Sequence, residues 1–348
     1  LRVGRVLLVR GLALLAVLLT VLLLVVVVLG ATGVSDRMMA ALVREELRSL
    51  RESLAQTIRD PDELERALQA HRQELEALYG LDRPWYSRLP DMVWRVLTLD
   101  LGSARTLRSF SGSNLVADII LERLPNTILL TTLALLFTAA IGLVIGVKLA
   151  TRVGSRLDRG ASYFLATSYA LPSWWLGILL ILLLAFRVRV FPPGGMLSSP
   201  APPPGIPYLL DLLWHAALPV ITLVLVSLGG WAYTVRTMVV NVAQEDFVTA
   251  ARAKGLPERL VMRRYIIRVA APPILTSIIL GLAGSIGGAI LTETVFNWPG
   301  MGRLYYDAIL AVDEPVIVAL TFIFTLIYIL ARFLLEVLYL VLDPRVRY

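Results

Sequence analysis

The chain has 348 residues, of which 57% are hydrophobic and only 17% charged, with a mean hydropathy of +0.74, so an ordinary soluble globule is excluded. Its net charge of +7 comes largely from Arg residues flanking apolar runs, a pattern that membrane topology explains without any nucleic-acid partner. Cysteine is absent and the two histidines, His71 and His215, are far apart, which excludes disulfides and thiol chemistry and leaves no metal-ligand spacing.

In chain order, residues 1–30 read as an anchor helix. Arg2, Arg5 and Arg10 precede an apolar run over 12–29, longer than a cleavable signal core, so the helix is expected to be retained. Residues 31–125 read as an external helical segment. Leu42, Leu47, Leu50, Leu54 and Ile58 recur at roughly helical spacing among Arg and Glu. Asp60-Pro61-Asp62-Glu63 marks a stop followed by a new N-terminus, and the second amphipathic helix is expected to end at Gly80. A solvated hairpin is one use of this segment; a docking surface for an external partner is another.

Residues 126–342 read as a five-helix core, with spans near 127–149, 161–186, 216–235, 273–291 and 316–342. Each is long enough to cross a bilayer, which takes about 20 helical residues. Pro172 is a kink candidate in the third of the six spans. The expected fold class is therefore an all-α membrane protein with six transmembrane helices. Basic residues gather before the first span, between the second and third, in the loop 236–272, and in the tail 343–348. These four segments share one side, which predicts that both termini and the 236–272 loop are cytoplasmic. The long segment 31–125 is exempt from that rule.

Within the 236–272 loop, the stretch Gln244 to Pro257 predicts a short helix and turn. Gln244, Glu245 and Asp246 suit its N-terminus, and Arg252 and Lys254 its C-terminus, in keeping with the helix dipole. Gly255 suits a left-handed stop and Pro257 the first turn of the next helix. Ala250 and Ala251 offer methyl-sized side chains where another surface could approach closely.

Gly281, Ser285, Gly288 and Thr292, four, three and four residues apart, predict one small, partly polar stripe on the fifth span. That stripe is a candidate wall of a passage; close helix packing, with Gly284 and Gly288 as a small-xxx-small pair, is the competing reading. Glu293 at the external end of the span suits either a structural cap or contact with cargo. Arg332 and Glu336, at i,i+4 in the sixth span, can pair with each other; snorkelling of Arg332 to the cytoplasmic surface is the alternative.

Several stretches resemble a known family. Thr249-Ala250-Ala251-Arg252-Ala253-Lys254-Gly255 resembles the "EAA…G" loop of ABC-importer permeases, with Thr249 where that motif has Glu. Gly80-Leu-Asp-Arg-Pro84, Leu99-Asp-Leu-Gly-Ser103, Glu122-Arg-Leu-Pro-Asn-Thr127 and Phe191-Pro-Pro-Gly-Gly195 resemble elements of the dipeptide/oligopeptide (and nickel) branch. So do His215-x-x-Leu-Pro219, Thr292-Glu-Thr-Val-Phe-Asn-Trp-Pro-Gly-Met-Gly302 and Asp343-Pro-Arg-Val-Arg-Tyr348. The charged stretch 40–71 is longer than the resemblance leads one to expect.

The resemblance implies a transmembrane permease subunit, not itself an enzyme, of an ATP-driven importer in the cell membrane. It implies that Asp246, Thr249, Ala250, Ala251, Arg252, Ala253, Lys254 and Gly255 form a cytoplasmic coupling helix. The implied partners are two ATPase subunits carrying ATP and Mg, a second paralogous permease and an external solute-binding protein; the chain itself is expected to bind no cofactor or metal. No G-x-x-x-x-G-K-[ST] phosphate cradle occurs in the sequence, and Gly142 to Lys148 lacks the spacing. Peptides are the implied cargo, with oligosaccharides or nickel as alternatives. A secondary transporter not driven by ATP would call for repeats and buried ionisable groups that are not evident, and an intramembrane enzyme for a constellation the residues do not supply.

Overall fold

A computed structural model of the chain describes residues 2–56, 58–285 and 289–342. Among these, helices are the regular structure, and the one β feature is an isolated antiparallel bridge between Ser103 and Leu115. Among the described residues, five helices are long and apolar enough to cross a membrane, or six if one sharply bent pair counts as a single span. An all-α membrane architecture follows. By internal contacts the chain forms two units, Leu1–Ile120 with Asp307–Leu326, and Leu121–Tyr306 with Ile327–Tyr348.

The first unit begins with α1 (Arg2–Ala31), whose surface leaves Leu12, Leu15, Leu19 and Leu23 exposed as a lipid-facing helix requires. Helices α2 (Val34–Leu54) and α3 (Pro61–Leu78) form a charged hairpin. The Asp60 side chain caps α3 by accepting the Asp62 N–H at 3.0 Å, with Pro61 at the first helical position. Gly80 follows the end of α3 at φ 69°, the left-handed stop. The buried stripe on α2 starts from Met39 and Val43, one position away from Leu42, which is exposed. Helix α4 (Trp85–Leu97) packs on α1. The loop after α4 is tied down by Asp313, which is fully buried and whose carboxylate accepts the N–H groups of Arg105, Thr106 and Leu107.

In the second unit, α5 (Val116–Ala150), which begins in the first unit, and α8 (Ile206–Ala243) extend well beyond their apolar runs, since flanking polar residues continue the same helices. His215 therefore lies inside α8 and not at its start. The expected third span is broken. Helix α6 (Arg156–Ala170) stops at Leu171, Pro172 is the extended N-cap of α7 (Ser173–Leu180), and the axis turns by 96°. Pro172 thus ends one helix and begins another, because its ring disfavours helical backbone at Leu171. A π-helical stretch, Ile181–Arg187, continues α7.

The short α9 (Asp246–Ala253) follows α8 directly. Then α10 (Glu258–Leu260), a π-helical stretch (Val261–Ile266) and α11 (Ile267–Ser285) form one run. Among the described residues its membrane-length part is Glu258–Leu282, so the fifth span starts earlier than expected. After α12 (Ile290–Val295) and α13 (Met301–Leu310), α14 (Glu314–Leu342) closes the fold. The DPRVRY tail, 343–348, lies outside the described residues.

Candidate functional site

Helix α9 ends in a hydrogen-bonded turn built by its own sequence. The Leu256 N–H donates to the Ala251 carbonyl (3.4 Å) and the Gly255 N–H to that of Arg252 (2.9 Å), the pair that defines a Schellman stop. Gly255 sits at φ 74°, and a side chain added there would meet nothing within 4 Å. Glu245, in extended conformation, is the N-cap of α9, while Gln244 is the C-cap of α8. Pro257 caps α10 from outside its first turn. Arg252 forks onto both oxygens of Glu258 (3.1 and 2.7 Å), bridging the turn.

The two faces of α9 differ. Val248 and Ala251 are buried against Val235, Val239, Val261, Ile266 and Ala270, which joins α9 firmly to α8 and to the run leading into α11. Ala251 therefore faces the protein's own core, not an approaching surface. Asp246, Phe247, Thr249, Ala250, Arg252, Ala253, Lys254 and Gly255 are exposed. Small size still matters at Ala251, because it sets how closely α9 lies on the helices beneath it.

Above α9, Arg236 on α8 donates through Nε and Nη2 to both oxygens of Asp158 (2.7 and 2.8 Å), and both side chains are largely buried. Asp158 also accepts the Gly154 N–H, and its own N–H is capped by Ser155. This ion pair ties the start of α6 to the last part of α8, just before α9.

A second constellation joins four segments that are remote in sequence. Glu293 is fully buried. Its Oε2 accepts the Arg303 N–H (2.9 Å), while its Oε1 accepts the Thr127 hydroxyl (3.0 Å) and the Ala289 N–H (3.3 Å). Thr127 Oγ1 in turn accepts the Met301 N–H at 2.6 Å. Together the two side chains satisfy donors at the N-terminus of α13 that no helical carbonyl could reach. Burial pushes the Glu293 carboxyl above the usual carboxylate range, with the donated hydrogen bonds working against that shift.

The glycines of the Pro-Gly-Met-Gly turn make room for this carboxyl: a Cβ on Gly300 would overlap Glu293 Oε2 and come within 2.5 Å of Thr127 Oγ1. Asn126 Nδ2 donates to the Pro299 carbonyl (2.8 Å), and Trp298 Nε1 to the Asn126 carbonyl (3.0 Å). Trp298 packs with Leu130 on α5 and with Ala216 and Val220 on α8. The Phe191–Gly195 turn joins through the Gly195 N–H, which donates to the Phe296 carbonyl at 2.8 Å. Glu293 is thus a structural cap. Each of these segments stands out in the sequence, but no spacing pairs Thr127 with Glu293; the one local sign is the two glycines, which mark a close approach.

The four-residue stripe is divided. Gly281 and Ser285 lie on α11, Gly288 lies outside the described residues, and Ala289 is non-helical, so Thr292 belongs to the separate α12. Thr292 is buried and its hydroxyl donates to Ser173 Oγ at 3.1 Å. Gly281 faces Leu135 of α5, with 3.2 Å available to an added Cβ. The Gly284–Gly288 pair also falls partly outside the described residues. Arg332 is exposed, and the Glu336 side chain lies outside the described residues.

Residues 120–348, which hold α9, the Arg236–Asp158 pair and the whole Glu293 constellation, match the family described as "Binding-protein-dependent transport system inner membrane component". The chain belongs to this family. As a permease of that family it is a multi-pass membrane protein and a transport component rather than an enzyme. It is 30% identical to the oligopeptide transport system permease protein AppB of Bacillus subtilis over 80% of this chain and 86% of that one. It is 31% identical to the dipeptide transport system permease protein DppB of Escherichia coli K12, over 82% of this permease and 88% of the relative. The di/tripeptide transport system permease protein DppB of Pseudomonas aeruginosa is 33% identical over 80% and 86%.

Proposed function

We propose that this permease forms the translocation pathway of an ATP-driven importer for peptides delivered by an external solute-binding protein. The relatives' names carry the cargo class: all three are peptide or oligopeptide permeases. In this reading the chain crosses the membrane six times with both termini and α9 in the cytoplasm, and the bent α6–α7 pair serves as the third span. ATP and Mg are held by two separate ATPase subunits, and this chain binds no cofactor of its own.

The observation that carries the coupling role is the construction of α9. One face is fused to the ends of α8 and α11, and the other is fully open and bounded by a rigid glycine stop. Force applied to Thr249, Ala250 and Gly255 by closing ATPases passes directly into two membrane helices. The Arg236–Asp158 pair extends that path to α6. Of the sequence stripe, Gly281, Ser285 and Gly288 stay pathway candidates while the buried Thr292 does not, and a second, paralogous permease supplies the opposite wall.

Native mass spectrometry of the complex purified in mild detergent tests the assembly. The proposal expects one copy of this chain, one paralogous permease and two ATPase subunits. A transport-competent complex without a second permease contradicts the shared pathway, and peptide uptake that proceeds without ATP contradicts the importer.

A further inference from the structure

Helix α4 presents three distinct faces. One lies on α1: the Trp85 ring covers Gly30 so closely that any Cβ there would overlap the ring carbons. A second carries Ser87, Asp91 and Arg95, at i, i+4 and i+8, lining a cavity of about 300 Å³ with Asp100 and Arg105. The third carries Tyr86, Pro90 and Trp94 in the same spacing, and it is bare: Tyr86 is 61% and Trp94 68% exposed. Large aromatic side chains on the outside of an amphipathic helix need a partner surface that is apolar on one side and wet on the other.

The depth of α4 relative to the bilayer follows from α1. Gly30 lies in the last turn of the membrane-length segment Leu7–Ala31. Its 25 residues reach about 37 Å at 1.5 Å per residue, more than the roughly 30 Å of hydrocarbon, so that last turn emerges at the headgroup level. Trp85 holds the start of α4 at that level. The lipid-facing surface of α1, with Leu23, Leu24 and Val28 exposed, reaches the same end of the helix.

We propose that α4 is an interfacial helix, seated with Tyr86, Pro90 and Trp94 in the headgroup layer of the bilayer at the end of α1, with its Ser87–Asp91–Arg95 face toward water. The occupant of the bare face is lipid. Tryptophan and tyrosine suit that layer because their rings are apolar and their N–H and O–H groups reach water and headgroups. The helix would fix the external segment against the membrane and hold the cavity at its surface.

The absence of cysteine in the sequence makes the test direct. Spin labels on the single variants Trp94→Cys, Tyr86→Cys and Asp91→Cys, in the whole complex in nanodiscs, report collision with oxygen and with a water-soluble nickel chelate. Positions 94 and 86 are expected to favour oxygen, and position 91 the nickel chelate. Nickel accessibility at 94 and 86 equal to that at 91 would overturn the proposal, as would shielding of 94 and 86 from both colliders, which marks a protein partner on that face. Either of the two aromatic positions suffices if the other variant does not assemble.

Discussion

The Thr127 hydroxyl donates to Glu293 Oε1 at 3.0 Å while its oxygen accepts the Met301 N–H at 2.6 Å, so one threonine links two segments more than 160 residues apart. Both residues are fully buried, so without that hydroxyl the Met301 N–H has no acceptor and Glu293 Oε1 keeps only the Ala289 N–H.

Thr127→Val keeps the shape but removes both bonds. We expect a loss of about 1–3 kcal/mol, mainly for the Met301 N–H left without an acceptor, read as a lower midpoint of thermal unfolding in detergent. Glu293→Gln should cost a similar amount, because its amide would turn an N–H toward an N–H donor. Unchanged midpoints for both would contradict the capping role.

Gly300→Ala should be worse than Thr127→Val, since its Cβ overlaps both the carboxyl and the hydroxyl. Overpacking of a well-filled site costs about 1–3 kcal/mol, added here to lost hydrogen bonds. The expected readout is poor insertion or rapid degradation; normal yield and stability would show that the turn relaxes.

These effects also show what a sequence can and cannot disclose. The α3 start at Asp60-Pro61 and the α9 stop at Gly255 were legible because caps and left-handed turns are local chemistry. Span lengths were legible in outline, from apolar run length alone. A bend at Pro172 was legible, but its size of 96° was not, because the run stays apolar through it and a proline is compatible with either a kink or an end. The inward face of Ala251 was hidden because α9 has eight residues, too few to establish a period. The pairing of Thr127 with Glu293 depends on tertiary contact, and no spacing announces it.

The Arg236–Asp158 pair offers a test of the path above α9. Arg236→Met leaves a buried carboxylate unpaired and should cost about 3–5 kcal/mol. The double variant Arg236→Met with Asp158→Leu should recover much of that stability. Uptake is expected to remain low in the double variant if the pair transmits motion, and to recover with stability if the pair only holds α6 on α8.

Topology is checked by labelling. A single cysteine at Thr249 should react only from the cytoplasmic side and one at Ser53 only from outside, both positions being exposed. Reaction of both from one face would contradict the six-span arrangement.

If α9 receives the work of ATP hydrolysis, uptake by Gly255→Asp reports it. The new side chain meets nothing in this protein, and the left-handed backbone costs it only about 1 kcal/mol, so the fold should persist. A carboxylate on the open side of the turn would obstruct the approach of an ATPase. Normal insertion and yield with ATP-driven peptide uptake lost is the expected result; normal uptake at normal expression would rule out α9 as the ATPase contact.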